Sequence, residues 1–295
     1  MFPQLKYPGV PHNFGGILTD PVKAKILCFG IPFDSTTSYR GGAKHGPLGL
    51  RLASQQTETY DILTEANIFE DPGIYDLGDM DVVRGHVEKT VLRVGDEVEN
   101  ILQQKKTPLI LGGEHGLTAG AVKASSKFFK DLKVVVFDAH GDLRDEYEGD
   151  KFNHACGMKR SSEFIGGTKN LLEIGIREIC EEESQFRDRM IFSHEIRENI
   201  DEALGKVKKF VSNSNVYVSI DIDFMDLSIV PGTGTPQPNG LFYHEALEFI
   251  KQLKNSKKIV GMDLMELAPL PGNVASEAAA TKFLFQSIAQ LRKNF

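Results

Sequence analysis

The sequence predicts an α/β fold in which a parallel sheet carries helices on both faces. Three observations predict it. Short apolar runs alternate with stretches of helical periodicity from one end of the chain to the other. Runs such as Val134-Val135-Val136-Phe137 are apolar at consecutive rather than alternate positions, as strands buried on both faces require. Several of these runs then turn abruptly polar or glycine-rich, and ligands in such sheets bind outside the carboxyl ends of the strands.

Taken in order, residues 1–22 are punctuated by Pro and Gly and read as a segment wrapping the surface. Residues 25–30 form the first strand. A long loop covers 31–47, and Pro47 suits the first turn of a helix running through Arg51. A loop of that length within a compact domain is usually functional. Residues 74–79 read as a short strand. Val87, Val91, Val94, Val98, Ile101 and Leu102 fall on one face of a helix over 87–104. A strand leads to Gly112-Gly113-Glu114-His115, followed by a helix over 119–129 and the strand ending at Asp138. Residues 143–153 are a charged loop and 155–164 helical. Strands follow at 171–176 and 190–193, then an amphipathic helix at 200–211 and a strand at 216–222. A second long loop runs through Gly240. A helix over 243–253, a strand over 258–264 and a closing helix over 276–292 complete the chain.

No Ser/Gly linker, low-complexity tract or internal repeat divides the sequence, so a single domain is expected over 1–295. A hydrophobic content of 41% and a charged content of 25% are those of a soluble globular protein. The net charge of −7 argues against a nucleic-acid surface and is compatible with a cationic substrate. Cys28, Cys156 and Cys180 form neither a metal-type pair nor an even framework, which suits a reducing cytoplasm. The N-terminus lacks the apolar core of a signal peptide, and no apolar run reaches the roughly 18 residues of a membrane span.

The chemistry lies at three strand ends. Asp138, His140 and Asp142 follow one buried strand at a spacing of two, so in an extended chain all three side chains leave one face. Asp221 and Asp223 repeat the design at a second strand, and His115 follows a Gly-Gly turn at a third. Clustered aspartates at buried strand ends are costly unless something cationic sits between them. Asp138, Asp142, Asp221 and Asp223 bring four negative charges, which two divalent ions balance. Oxygen-rich ligands with two imidazoles suit Mn²⁺ better than Zn²⁺. A pair of ions about 3.5–4 Å apart can share and acidify one water, so the residues favour a metal hydrolase.

Three rival classes fit less well. A dinucleotide dehydrogenase needs Gly-x-Gly-x-x-Gly after the first strand, where this chain has Gly30-Ile31-Pro32. A phosphohydrolase usually carries Lys or Arg to clamp phosphate, and the neighbouring loop here is acidic. A metal-stabilised binding module would close its coordination sphere and needs no acidic loop around it.

With these residues in place the chain resembles the arginase/agmatinase ureohydrolases over nearly its whole length. The resemblance rests on Gly112-Gly113-Glu114-His115, on Asp138-Ala139-His140-Gly141-Asp142, and on Ser219-Ile220-Asp221-Ile222-Asp223 followed by Pro231-Gly232-Thr233-Gly234-Thr235-Pro236. It implies a three-layer α/β/α fold around a parallel sheet of about eight strands. It implies two Mn²⁺ per chain and hydrolysis of a guanidino or related amidino group. It also implies a homo-oligomer, a trimer or hexamer. By position, His115, Asp138, Asp142 and Asp221 match the ligands of one manganese, and His140, Asp138, Asp221 and Asp223 those of the other. Glu266 matches the acid that holds the guanidinium, and His154 a histidine that moves protons to the leaving amine. His12, His45, His86, His194 and His244 match no ligand position. Gly116, Gly141, Asn153, Leu227 and Asn239 depart from the common pattern without removing a ligand.

The acids Asp145, Glu146, Glu148 and Asp150, set against Arg144 and Lys151, lie on the loop expected to face the far end of the substrate. That balance favours a distal ammonium over a distal carboxylate. The expectation is therefore hydrolysis of agmatine to putrescine and urea, with arginine or another guanidino compound as the alternative substrate.

Overall fold

The computed structural model describes residues 12–295, so the first half of the expected surface wrap, residues 1–11, lies outside the described residues. The strands are β1 (Ile26–Gly30), β2 (Tyr60–Asp61), β3 (Ala66–Asn67), β4 (Ile74–Asp79), β5 (Thr107–Leu111), β6 (Leu132–Phe137), β7 (Leu171–Ile176), β8 (Met190–Phe192), β9 (Asn215–Asp221) and β10 (Lys258–Met265). The helices are α1 (Gly46–Ser54), α2 (Val87–Gln103), α3 (Thr118–Phe128), α4 (Gly157–Phe164), α5 (Ser193–Glu198), α6 (Ile200–Val211), α7 (Tyr243–Gln252) and α8 (Ala275–Leu291).

Eight strands form one sheet in the order β4-β1-β5-β10-β9-β6-β7-β8, and every pairing in it is parallel. Every residue of β1, β5 and β9 is buried, which is why these segments read as continuous apolar runs. Alternate side chains serve two cores. Leu109, Val135, Phe137, Val218 and Ile220 pack with buried residues of α1 and α5 to α8. Ile110, Val134, Val136 and Tyr217 pack with those of α2, α3 and α4. The result is the three-layer arrangement, helices over both faces of a parallel sheet. The valine stripe of α2 is buried along its whole length. Each such side chain contributes about 1.5–3 kcal/mol on leaving water.

Several small elements escaped the sequence reading. β2 and β3 form a short antiparallel pair, residues Glu181–Arg189 form a 3-10 helix, and Ser193 opens α5 rather than closing a strand. All are too short to show a period. No helix among the described residues is long and apolar enough to cross a membrane. For the site, what matters is that β5, β10, β9 and β6 are consecutive neighbours at the centre of the sheet. Their carboxyl ends therefore open side by side.

Candidate active site

β6 ends at Phe137, and the extended conformation does not persist through Asp142 as the spacing suggested. The cause is local. The Asp138 carboxylate accepts the N–H of His140 at 2.7 Å, an Asx-type turn that bends the chain off the sheet. Asp142 then adopts the left-handed region at φ 49°, and its carbonyl accepts the N–H groups of Met158 and Lys159 at the start of α4. β9 ends in the same way. Asp221 accepts the N–H of Asp223 at 3.0 Å, and residues Ile222–Phe224 turn into a 3-10 helix. Asp223 in turn accepts the N–H of Ala139 at 3.1 Å, tying the two strand ends together.

These turns bring all six expected ligands together in two groups. His115 Nδ1 lies 2.9 Å from Asp138 Oδ2, 3.2 Å from Asp142 Oδ2 and 3.4 Å from Asp221 Oδ2. His140 Nδ1 lies 3.1 Å from Asp223 Oδ2 and 3.6 Å from Asp138 Oδ1. Two sets of side chains, His115 with Asp138 and Asp142, and Asp138 with His140 and Asp223, place their donor atoms within 4.8 Å of one another. Asp138 belongs to both. His12, His45, His86, His194 and His244 enter neither.

Electrostatics gives the arrangement its meaning. Burial, then the charge of Asp138, pushes Asp142 up to about 6. Burial and the charges of Asp223 and Asp138 push Asp221 above the carboxylate range. Burial also raises the cost of ionising Asp138, yet the neighbouring imidazoles of His115 and His140 hold it below that range. His115 Nδ1 and Asp138 Oδ2 are buried and make no hydrogen bond despite their proximity. Two orphaned atoms converging from an imidazole and a carboxylate fit a cation that accepts nitrogen and oxygen donors.

Glu266 follows β10 and sits in the left-handed region at φ 62°. Its Oε1 accepts the backbone N–H of His115 at 2.7 Å. Burial, then the charge of Glu114, pushes it up to about 8. Glu114 is itself fully buried, pushed up to about 7 by burial, and accepts both the N–H and the hydroxyl of Thr36. The Thr36 hydroxyl accepts the backbone N–H of His154 at 3.0 Å, and Ser38 Oγ lies 3.3 Å from His154 Nε2. Burial lowers His154 to about 4, so its ring is neutral near pH 7. The long loop after β1 thus supplies the frame for His154.

One cavity gathers these groups. Asp142, Asp221, Glu266, His140 and His154 line it together with Ser38 and Arg40. The charged loop contributes differently from expectation. Asp145 is exposed and paired with Arg160 and Lys151, Glu146 and Glu148 are exposed, and Asp150 accepts the N–H of Phe152. None of the four acids lines the cavity; Arg144 and Tyr147 do, the guanidinium 4.5 Å above the ring. Besides Asp142, Asp221 and Glu266, the acids that line it come from after β7. Glu183 is occupied by the N–H groups of Leu143 and Cys180, which leaves the exposed Glu178, in a lining that also holds Arg40 and Arg144.

The unusual positions have structural reasons. A Cβ on Gly116 would meet Phe152 O at 2.9 Å and Asn153 O at 3.1 Å, so glycine lets the His154 segment approach. Asn153 caps that segment by accepting the N–H of Ala155. Gly141 leaves room for Met190 and Glu183. Asn239 takes φ 71°, which asparagine tolerates in place of glycine. Leu227 is exposed and nothing in the structure explains it. Sequence reasoning also passed over Arg177, whose guanidinium binds the carbonyls of Gly175, Asp223, Gln237 and Pro238 and braces the loop after β9. A lone arginine gives no signal; Asp263, a single acid inside an apolar strand, offers one that the sequence reading did not take up.

Comparison with known proteins agrees with this geometry. The arginase family model matches residues 24–289. An N(1)-aminopropylagmatine ureohydrolase from Thermococcus kodakarensis is 41% identical, over 94% of this chain and 94% of its own. An agmatinase from Halalkalibacterium halodurans is 34% identical, over 89% and 90%. The crystal structure of an agmatine ureohydrolase of Thermoplasma volcanium superposes with a TM-score of 0.87 at 35% identity, covering 96% of this chain and 95% of that one.

Proposed function

The chain belongs to the arginase family as an agmatinase-like ureohydrolase, and we propose that it hydrolyses agmatine to putrescine and urea at a binuclear manganese site. The observation that carries the metal reading is the sharing of Asp138 between two His/Asp groups. In this reading His115, Asp138, Asp142 and Asp221 hold one ion, and His140, Asp138, Asp221 and Asp223 the other. Two ions, when bound, supply Lewis acidity that lowers the pKa of water.

The remaining work falls to the chain. The Glu266 carboxyl, raised by burial while no cation faces it, is an ionised carboxylate opposite the guanidinium; anchored by the His115 N–H, it accepts parallel N–H bonds and fixes the guanidinium carbon in the cavity. Its left-handed backbone is the kind of strain that persists where surrounding structure holds a functional group in place. His154, neutral near pH 7, accepts the proton released as water adds to the guanidinium carbon and delivers it to the departing amine. Glu178 at the rim offers its charge to the distal ammonium in place of the loop acids.

A second reading is favoured by a specific finding. Relatives at 41% and 36% identity bear the name N(1)-aminopropylagmatine ureohydrolase, and that compound carries the same guanidinium on a longer cationic chain. Arginine is the third candidate, since Arg40 and Arg144 at the rim could meet its carboxylate. Side-by-side kcat/KM values with manganese decide among them. Agmatine should exceed arginine by at least tenfold. Arginine turned over as well as agmatine overturns the agmatinase reading, and a preference for N(1)-aminopropylagmatine replaces it with the second.

A further inference from the structure

Behind His115, on the side away from the cavity, lies a buried hydroxyl cluster that the reaction does not use. β9 and β10 pair so that Ser219 and Asp263 are register partners. Asp263 is fully buried in the middle of a strand. Its Oδ1 accepts the hydroxyl of Ser219 at 2.7 Å, and its Oδ2 accepts the hydroxyls of Tyr217 at 2.8 Å and Thr118 at 2.9 Å. Ser219 Oγ lies 2.9 Å from His115 Nε2.

Proton bookkeeping gives these contacts a direction. An ionised carboxylate only accepts. Each hydroxyl has one proton, and all three protons point at Asp263. Thr118 cannot also donate to Ser219, from which it stands 3.4 Å away. The Ser219 oxygen is left as an acceptor, so the proton between it and His115 belongs to Nε2. A neutral imidazole with its proton on Nε2 has a lone pair on Nδ1, the atom that lies among Asp138, Asp142 and Asp221 without a hydrogen-bond partner.

We propose that Asp263, acting through Ser219, is a positioning residue that holds His115 in the tautomer able to bind a metal ion. The alternation of β9 makes this economical. Tyr217, Ser219 and Asp221 share one face of the strand, so the face that carries Asp221 to the site also carries the relay behind His115. His140 has no counterpart among the described residues: no hydrogen bond to its Nε2 occurs there. The relay therefore serves one metal position and not the other.

The proposal rests on the assignment of His115 as a ligand, and the test separates the two. Manganese per chain is measured by elemental analysis after equilibrium dialysis across free manganese concentrations. Wild type should hold two ions, and His115→Ala should lose one. Ser219→Ala removes the acceptor, and the affinity of one ion should fall roughly 10–100-fold while the other is unchanged. Ser219→Thr, which keeps the hydroxyl, should restore it. Asp263→Asn should be as damaging as Ser219→Ala, because its amide donates to Ser219, turns the hydroxyl toward Nε2 and drives the imidazole proton onto Nδ1. Tyr217→Phe removes a bond to the same carboxylate outside the relay, so both ions should stay even if the fold loses stability. Retention of both ions by His115→Ala overturns the ligand assignment and the relay with it. Loss of one ion in His115→Ala, with both held at wild-type affinity in Ser219→Ala, overturns the relay alone. So does an equal loss in Ser219→Ala and Tyr217→Phe. If Asp263→Asn does not fold, the Ser219 pair decides.

Discussion

The two halves of the site use the same residue types and are supported differently. On one side His115 is 1% exposed and its far nitrogen is bonded to Ser219. On the other, His140 keeps 21% of its side-chain surface open and lines the cavity. The contrast separates two tasks. A ligand fixed from behind by buried hydrogen bonds holds an ion in place, whereas a ligand with an open edge leaves room for water and substrate. Under the proposed assignment, an inner and an outer metal position should differ in affinity for that reason.

The largest effect is expected where the halves meet. Asp138→Ala removes the carboxylate common to both His/Asp groups and, with Asp221, one of the two that both ions share in the proposed assignment, so both ions should be lost or much weakened. Turnover should fall by several kcal/mol in activation free energy. Elemental analysis showing one ion still at full occupancy would mean that the halves are independent. Chelation should likewise abolish activity in the wild-type protein and manganese restore it, the outer ion leaving first. Asp223→Ala touches only the His140 half, and should empty or weaken that position while the inner ion stays.

Glu266→Gln comes next. Glu266 touches the inner half through the His115 N–H, yet it is not a ligand in the proposed assignment. Both ions should remain, and kcat/KM should drop by roughly 3 kcal/mol, the scale for one misplaced charged contact. Loss of metal in this variant would make Glu266 part of the inner shell.

His154 lies outside both halves, and its effect should be smaller and visible in pH. His154→Asn should lower kcat more than it raises KM. Because burial depresses the ring to about 4, the acid limb governed by it should lie well below the ordinary histidine value of about 6.5. The stability linkage has a definite sign. Above pH 6.5 the ring is neutral in both the folded and the unfolded chain and contributes nothing. Between about 6.5 and 4 the unfolded ring takes a proton that the folded one refuses, so stability falls as pH falls. Urea titrations should show that slope in wild type and a shallower one in His154→Asn. Identical slopes would show the ring to be open to protonation.

What the sequence disclosed and what it hid also divide along physical lines. Strands buried on both faces must be apolar at every position, so the sheet could be read from runs such as Val134-Val135-Val136-Phe137. Aspartates at the ends of such strands stand out for the same reason, and the structure gathers the four chosen on that ground with His115 and His140. Loops obey no period. The sequence placed Asp145 beside the substrate because it lies close to Asp142 along the chain, but its carboxylate pairs with Arg160. Glu178 reaches the cavity from the loop after β7 and carried no sign of it. The left-handed turns at Asp142 and Glu266 were hidden for a related reason. No local preference of an acid calls for that conformation; the surrounding contacts impose it.

That imposed conformation yields the smallest and most pointed prediction. Asp142 belongs to the inner half and stands at φ 49°, whereas Asp223 belongs to the outer half and lies within the 3-10 turn Ile222–Phe224. Both are buried acids in contact with a site histidine, so replacing either with glycine removes a buried carboxylate. The backbone consequences have opposite signs. At Asp142, glycine relieves the steric cost of a left-handed residue, about 1 kcal/mol. At Asp223, it adds the entropy of a freer chain to a turn that any residue can adopt, roughly 0.5–1 kcal/mol. Urea unfolding in the presence of a chelator, which takes metal binding out of the measurement, should therefore leave Asp142→Gly more stable than Asp223→Gly by about 1–2 kcal/mol. Equal stabilities would mean that the turn at Asp142 carries no strain, and the inner half would then owe its fixity to the bonds behind His115 alone.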